Sequence, residues 1–163
     1  MDALTIRSLT PADRDAALTV INTAARWYTE FLPPEECHDP EMTAAQWDAE
    51  AQRMTWYGAF SERMLVGVMG LEYVCDVALL RHGYVLPEYQ RQGVGSVLLQ
   101  HLERQIEGVH RIVVGTYAGN YQARGILAAA GYRLSEDSGA RLRAYYAIPA
   151  DRLQSSVTYE KEI

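Results

Sequence analysis

The sequence predicts an α/β sandwich built on a mixed sheet, and three observations carry that prediction. A run that is apolar on both faces, Leu65-Val66-Gly67-Val68-Met69-Gly70-Leu71, fits a strand covered on each side by helices. Ala17, Leu18, Ile21, Ala24, Ala25 and Tyr28 recur at helical spacing and form a stripe that would pack on such a sheet. Between Val77 and Ser96 a strand-like apolar run feeds into a glycine turn from which a helical pattern leaves. With 163 residues and 48% hydrophobic content, the chain suffices for one compact domain, 1–163, without disulfides or metal.

The elements follow in order. Ala3 to Leu9 alternates apolar and polar residues as a strand does, and Thr10-Pro11-Ala12-Asp13 reads as an N-cap with proline at the first helical position. The striped helix comes next. Phe31 to Pro40 contains Pro33-Pro34 and Asp39-Pro40, which break helix and make an irregular loop. Thr43 to Met54 predicts a second helix, and Trp56 to Phe60 with Met64 to Tyr73 a hairpin turning at Ser61-Glu62-Arg63. Val77 to Leu86 is the strand into the glycine turn, and beyond Ser96 the residues Val97, Leu98, Leu102 and Ile106 keep helical spacing. Arg111 to Tyr117 is a further strand, followed by a helix and two closing strands. Arg141 to Arg152, with Tyr145-Tyr146-Ala147-Ile148-Pro149, is long for the connection between those two strands, which marks it as a functional loop.

Composition excludes several classes. The formal charge is −6 and Lys161 is the single lysine, so the clustered cations of a nucleic-acid surface are missing. Cys37 and Cys75 make neither zinc spacing nor a disulfide framework. The start, Met1-Asp2-Ala3-Leu4-Thr5, lacks a basic region followed by an apolar core, and no run is long enough to span a bilayer. The expectation is a soluble cytoplasmic protein with no nucleic-acid or membrane partner and no metal.

The chemistry concentrates at Gln90-Arg91-Gln92-Gly93-Val94-Gly95-Ser96. Gly93 and Gly95 lack the Cβ atoms that would hold a ligand off the backbone, and the first turn of the next helix leaves unpaired N–H groups. With the helix dipole behind them and Arg91 beside them, these groups suit a diphosphate. No Gly-Lys-Ser/Thr closes the run, so it is not a Walker loop, and the three-glycine dinucleotide fingerprint is unmatched.

The arrangement Gln90-x-x-Gly93-x-Gly95, entered through Val85-Leu86-Pro87 and left through Val97-Leu98-Leu99, resembles the acyl-CoA signature of the GNAT acetyltransferase superfamily. Asn120-x-x-Ala123 with Gly131-Tyr132 resembles the family's next segment, and Ser156 to Lys161 its last strand. The resemblance implies a mostly antiparallel twisted sheet flanked by helices, whose central strands splay so that Gly83, Tyr84 and Val85 bind the pantetheine arm through backbone groups. It implies acetyl-CoA as co-substrate, held by Arg91, Gln92, Gly93, Val94, Gly95, Ser96 and Asn120 as well. Transfer would be direct, to an amine of a small molecule or peptide.

Catalytic groups are less evident. The family's usual thiolate-protonating tyrosine falls on Leu127, leaving Tyr121 or Tyr117 to substitute, and its base positions fall on Leu79 or Arg81, neither of which is a base. His82 is the nearest titratable group and suits relay of an amine proton near neutral pH. Strict alternation turns it away from Arg81, although a bulge at Gly83 would redirect it. Arg81 is expected to orient an acidic part of the acceptor or to pair with Asp76 or Glu72. Glu30 beside the Pro-rich loop and Tyr145 in the 141–152 segment are the remaining acceptor-binding candidates, with Tyr146 beside Tyr145 as a second candidate anchor, the segment serving as a lid or as a homodimer contact. The missing acid and base leave one rival, a non-catalytic acyl-CoA-binding or sensing module.

Overall fold

The computed structural model of the protein describes residues 3–146 and 152–163. Strand β1 (Leu4–Ser8) is followed by helices α1 (Arg14–Ala24) and α2 (Ala44–Ala51), then β2 (Thr55–Ser61), β3 (Met64–Val74) and β4 (Val77–Val85). Helix α3 (Val94–Gln105), β5 (Arg111–Tyr117), α4 (Tyr121–Ala129), β6 (Arg133–Leu134), α5 (Ser138–Tyr145) and β7 (Ser156–Glu162) complete the order. The seven strands form one sheet in the order β1-β2-β3-β4-β5-β7-β6, antiparallel at every junction except β4–β5. The expected mixed, mostly antiparallel α/β architecture is the one found.

Two glycines on β3 show how the layers close. A Cβ at Gly67 would lie 3.1 Å from Leu98 and from Val94, so α3 lies tight against that face. A Cβ at Gly70 would lie 2.5 Å from the Met54 side chain just beyond α2. Residues three apart on a strand point to opposite faces, so α3 and α2 cover opposite sides. Val66, Val68, Leu80, Leu98 and Leu102 are buried between these layers, which accounts for the two-sided apolar character of β3.

Where helices begin, local chemistry decides. Thr43 accepts from Gln46 N–H and Gln46 returns a side-chain contact to the Thr43 backbone, a capping box that starts α2. Asn120 and Asp137 cap α4 and α5 by accepting from Ala123 and Ala140 N–H. Helix α5 corrects the expected loop: Arg141 to Tyr145 is helical, and Leu142 is its only buried residue, so no apolar period announces it. Ala147, Ile148 and Pro149 lie outside the described residues. The first striped helix also ends earlier than its pattern, and Ala25–Glu30 continue as a tighter 3-10 turn.

The feature that matters for function is at the centre. Strands β4 and β5 pair only at Ala78↔Ile112, Leu79↔Val113 and Leu80↔Val114, yet continue to Val85 and Tyr117. On its other side β4 shifts register against β3 between Val68 and Gly70, and His82 sits in the left-handed region with φ 55°. One extra residue in β4 thus makes a bulge. The parallel ladder ends at Leu80, immediately before it.

Candidate functional site

The opened strands are the wall of two connected cavities. The inner one, about 290 Å³, lies between the diverging ends of β4 and β5 and is closed by α3, α4 and the loop before α2. The outer one, about 340 Å³, runs from the glycine turn along the start of α3. Tyr28, Gly83, Tyr84, Val85, Gly95 and Asn120 line both, so these residues form the neck between them.

At the outer end Arg91, with φ 61°, and Gly93, with φ 85°, turn the chain into α3. A Cβ at Gly93 would meet nothing within 4 Å, so glycine serves the backbone conformation there. No side chain caps α3, in contrast to α2, α4 and α5. The amides of the first turn therefore face the outer cavity with the helix dipole behind them. Arg91, Gly93, Val94, Gly95 and Ser96 line this cavity; Gln92 instead donates its side-chain amide to Glu88 O at 2.9 Å. Asn120 lines both cavities, but its carbonyl is committed to capping α4.

Tyr146 stands at the root of the opening. Gly115 N–H donates to its hydroxyl at 3.0 Å, and the hydroxyl lies 3.3 Å from Val113 O and 3.4 Å from Leu80 O. Leu80 belongs to the last pair, Val113 to the pair before it and Gly115 is the first unpaired residue of β5, so the phenol stands where the next rung of the ladder would be. Burial raises its ionisation well above the usual tyrosine range, which keeps it a donor.

Two sets of paired charges stand at the wall of the inner cavity, reaching it through Glu41 and Arg152 in one and Arg81 and His82 in the other. Arg152 grips Glu41 with two contacts of 2.7 Å, donates to Glu36 O at 3.0 Å and lies over the Tyr117 ring. Ser155 donates to the Glu36 carboxylate, and Tyr84 OH lies 3.4 Å from Glu41 Oε2. This latch ties the loop before α2 to the segment entering β7. The second set surrounds the bulge. Arg81 Nη1 lies 2.9 Å from Glu72 and 3.1 Å from Glu50, Arg53 also holds Glu50, and His82 Nε2 lies 3.5 Å from Glu50 Oε1. Burial alone would raise the Glu50 carboxyl; the His82 contact, the Arg81 charge and the Arg53 contact outweigh it and hold the group at about 2.

The structure sorts the sequence-derived residues accordingly. His82, Gly83, Tyr84, Val85, Arg91, Gly93, Val94, Gly95, Ser96 and Asn120 gather along the two cavities. Arg81 reaches the inner one but is held by Glu72 and Glu50, so the expected pairing with Glu72 is found while its charge is already committed. Tyr121 is a correction: it is 75% exposed, lines neither cavity and stacks on Arg124, because it occupies the outward side of α4's first turn. Glu30 is exposed, accepts from Trp27 Nε1 at 2.8 Å and also lies outside both cavities. Tyr145 packs with the small cluster of Val77, Leu79 and Val113, and its neighbour Tyr146 is the one that enters the site. Tyr28, which the sequence places only in a packing stripe, and Glu41, Glu50 and Arg152, to which it gives no individual role, join the site in the structure. Glu41 and Arg152 stand 111 positions apart, and no local pattern joins them.

Among the described residues no helix is long and apolar enough to cross a membrane, and no group of three or more His, Cys, Asp or Glu is arranged to hold a metal ion.

Comparison with known proteins gives the same architecture a lineage. The PaiA N-acetyltransferase of Thermoplasma acidophilum, solved with coenzyme A, superposes with a TM-score of 0.79 at 18% identity over 99% of both chains. The ribosomal-protein-S18-alanine N-acetyltransferase of Escherichia coli gives 0.72 at 21% identity over 99% of this chain and 94% of that one. The IAA acetyltransferase of Bacillus cereus gives 0.68 at 16% identity over 99% of this chain and all of the other, 100%. At these identities the likeness speaks for the fold. No match is found among curated protein sequences. The sequence itself matches the acetyltransferase (GNAT) family over residues 21–132, most of the chain, and the protein belongs to that family.

Proposed function

We propose that this acetyltransferase moves an acetyl group from acetyl-CoA to the amine of a small-molecule or peptide acceptor, by direct transfer without a covalent acyl-enzyme. The observation that carries the reading is the broken β4–β5 ladder, which leaves Gly83, Tyr84 and Val85 on an open strand edge beside an uncapped helix start. The fit is chemical: a diphosphate suits the first-turn amides and Arg91, and an amide-bearing pantetheine suits a strand edge in need of partners. When bound there, acetyl-CoA supplies an acyl group activated as a thioester.

The chain's own groups do the rest. A protonated amine must lose a proton before it can attack, and His82 on the inner cavity wall is the group we assign to receive it. Tyr28 and Tyr84 line the neck, and burial raises both above the ordinary tyrosine range, so they stay protonated. The Tyr84 hydroxyl is turned to Glu41, so Tyr28 is the hydroxyl we assign to charge developing there. Leu127, buried on α4, contributes only apolar wall. The Glu41–Arg152 latch lines the inner cavity and holds the loop before α2 against the segment entering β7.

Thiol release from acetyl-CoA, measured across a panel of alkyl amines, amino acids and short peptides, tests the proposal. Release that depends on the amine and yields the acetylated product is expected. Calorimetric binding of coenzyme A with no turnover on any amine would make the protein a sensor instead, and absence of binding would remove the site altogether.

A further inference from the structure

We infer that Glu50 is the positioning residue for His82: its carboxylate takes the imidazole Nε2–H and leaves Nδ1 as the basic atom presented to the inner cavity. The inference rests on the amine acetyl transfer proposed above.

The backbone makes the contact. In a regular strand Arg81 and His82 would point to opposite faces, but the left-handed φ of 55° at His82 brings both side chains to Glu50 on the last turn of α2. An L-residue in that region costs about 1–2 kcal/mol, a strain that functional positions retain. Within the site the two carboxylate oxygens of Glu50 are divided. Oε2 is held by Arg53 and by Arg81 Nη1, whereas Oε1 is the oxygen facing His82 Nε2 at 3.5 Å. Nε2 is sealed from solvent and makes no hydrogen bond among the described residues, and Glu50 Oε1 at 3.5 Å is the carboxylate oxygen set against it. The His82 side chain is nevertheless 21% exposed at atoms other than Nε2, and the residue lines the inner cavity. Trp56 covers the ring at 5.4 Å between centroids and fixes its plane.

The charges around the imidazole come from every neighbouring element: Glu50 from α2, Arg53 just beyond it, Glu72 from β3 and Arg81 from β4. Two carboxylates face two guanidiniums, so the imidazolium that forms adds a charge to a balanced cluster and lies against Oε1. In the step itself an N–H bond of the acceptor ammonium breaks, its electron pair stays on nitrogen for attack, and the proton joins Nδ1. Glu50 gains no proton and changes no bond; it holds the tautomer and stabilises the cation.

Heteronuclear NMR of the His82 ring in the full, ligand-free chain tests the assignment without reliance on activity. Neutral His82 is expected as the Nε2–H tautomer, with the preference lost in Glu50→Ala. An Nδ1–H tautomer in the wild type, or a tautomer indifferent to Glu50→Ala, overturns the inference. A rate cycle adds a readout that a merely structural role would not produce, using thiol release with the panel amine that turns over fastest. His82→Ala should lower kcat/KM about 100-fold and Glu50→Gln at least about 10-fold. The double variant should lose no more than His82→Ala alone, whereas losses that multiply would contradict action through His82. If no amine turns over, the proposed reaction fails while the tautomer still decides the role of Glu50.

Discussion

His82 is the residue on which the reading of the chemistry turns, and its behaviour is predictable from position. As the acceptor's proton relay it matters while the amine is protonated. His82→Ala should therefore lower the rate about 100-fold near neutral pH, with the loss shrinking as pH approaches the acceptor's own pKa. A loss independent of pH would make His82 structural. Its partner Glu50 has a carboxyl depressed to about 2, so the stability it contributes is complete above the ordinary carboxylate pKa and disappears as pH falls toward 2. Acid unfolding followed by circular dichroism should show Glu50→Gln losing on the order of 2 kcal/mol of that pH-dependent stability relative to the parent. The paired comparison matters because Asp13, held at about 2 largely by Arg7, titrates in the same window. His82 could be singled out in the sequence because it is a titratable group beside a glycine on the strand before the turn. Glu50 could not, because its role depends on a left-handed residue 32 positions later that no spacing rule reveals.

At the level of elements, the site depends on how α3 begins and how the loop before α2 is tied down. Gly93 meets nothing where a Cβ would stand, so a substitution there acts on the backbone and on an approaching ligand rather than on packing. Gly93→Val should weaken coenzyme A binding at least about 10-fold by calorimetry and cost about 1–2 kcal/mol of fold stability. Unchanged affinity would place the diphosphate elsewhere. The Glu41–Arg152 latch makes a different prediction, since both side chains are nearly inaccessible. Glu41→Ala strands a buried guanidinium and should cost about 3–5 kcal/mol in urea unfolding, whereas joint replacement by Glu41→Gln and Arg152→Met should cost far less. Equal costs would mean that the charges do not depend on one another. The glycine turn was readable because strand, glycines and helix are consecutive. The latch was not, since Glu41 sits after a proline in an irregular loop, and a helix of little apolar character does not show in the sequence which of Tyr145 and Tyr146 reaches the sheet opening.

For the whole molecule, the sheet is the device: five ordinary antiparallel pairings surround one parallel pair that is left unfinished. The covered strands were visible as runs apolar on both faces, and the helices as stripes or caps. The opening itself was expected only through the family resemblance, because it arises from a one-residue bulge and a phenol that replaces a rung, both of which are long-range effects. The most direct test of the account is a backbone-amide NMR map recorded while coenzyme A is titrated into the labelled protein. The account predicts that the amides of Gly83 to Val85 and Gly93 to Ser96 move first and furthest. Saturable binding that leaves those amides unmoved and shifts a surface outside both cavities would contradict it.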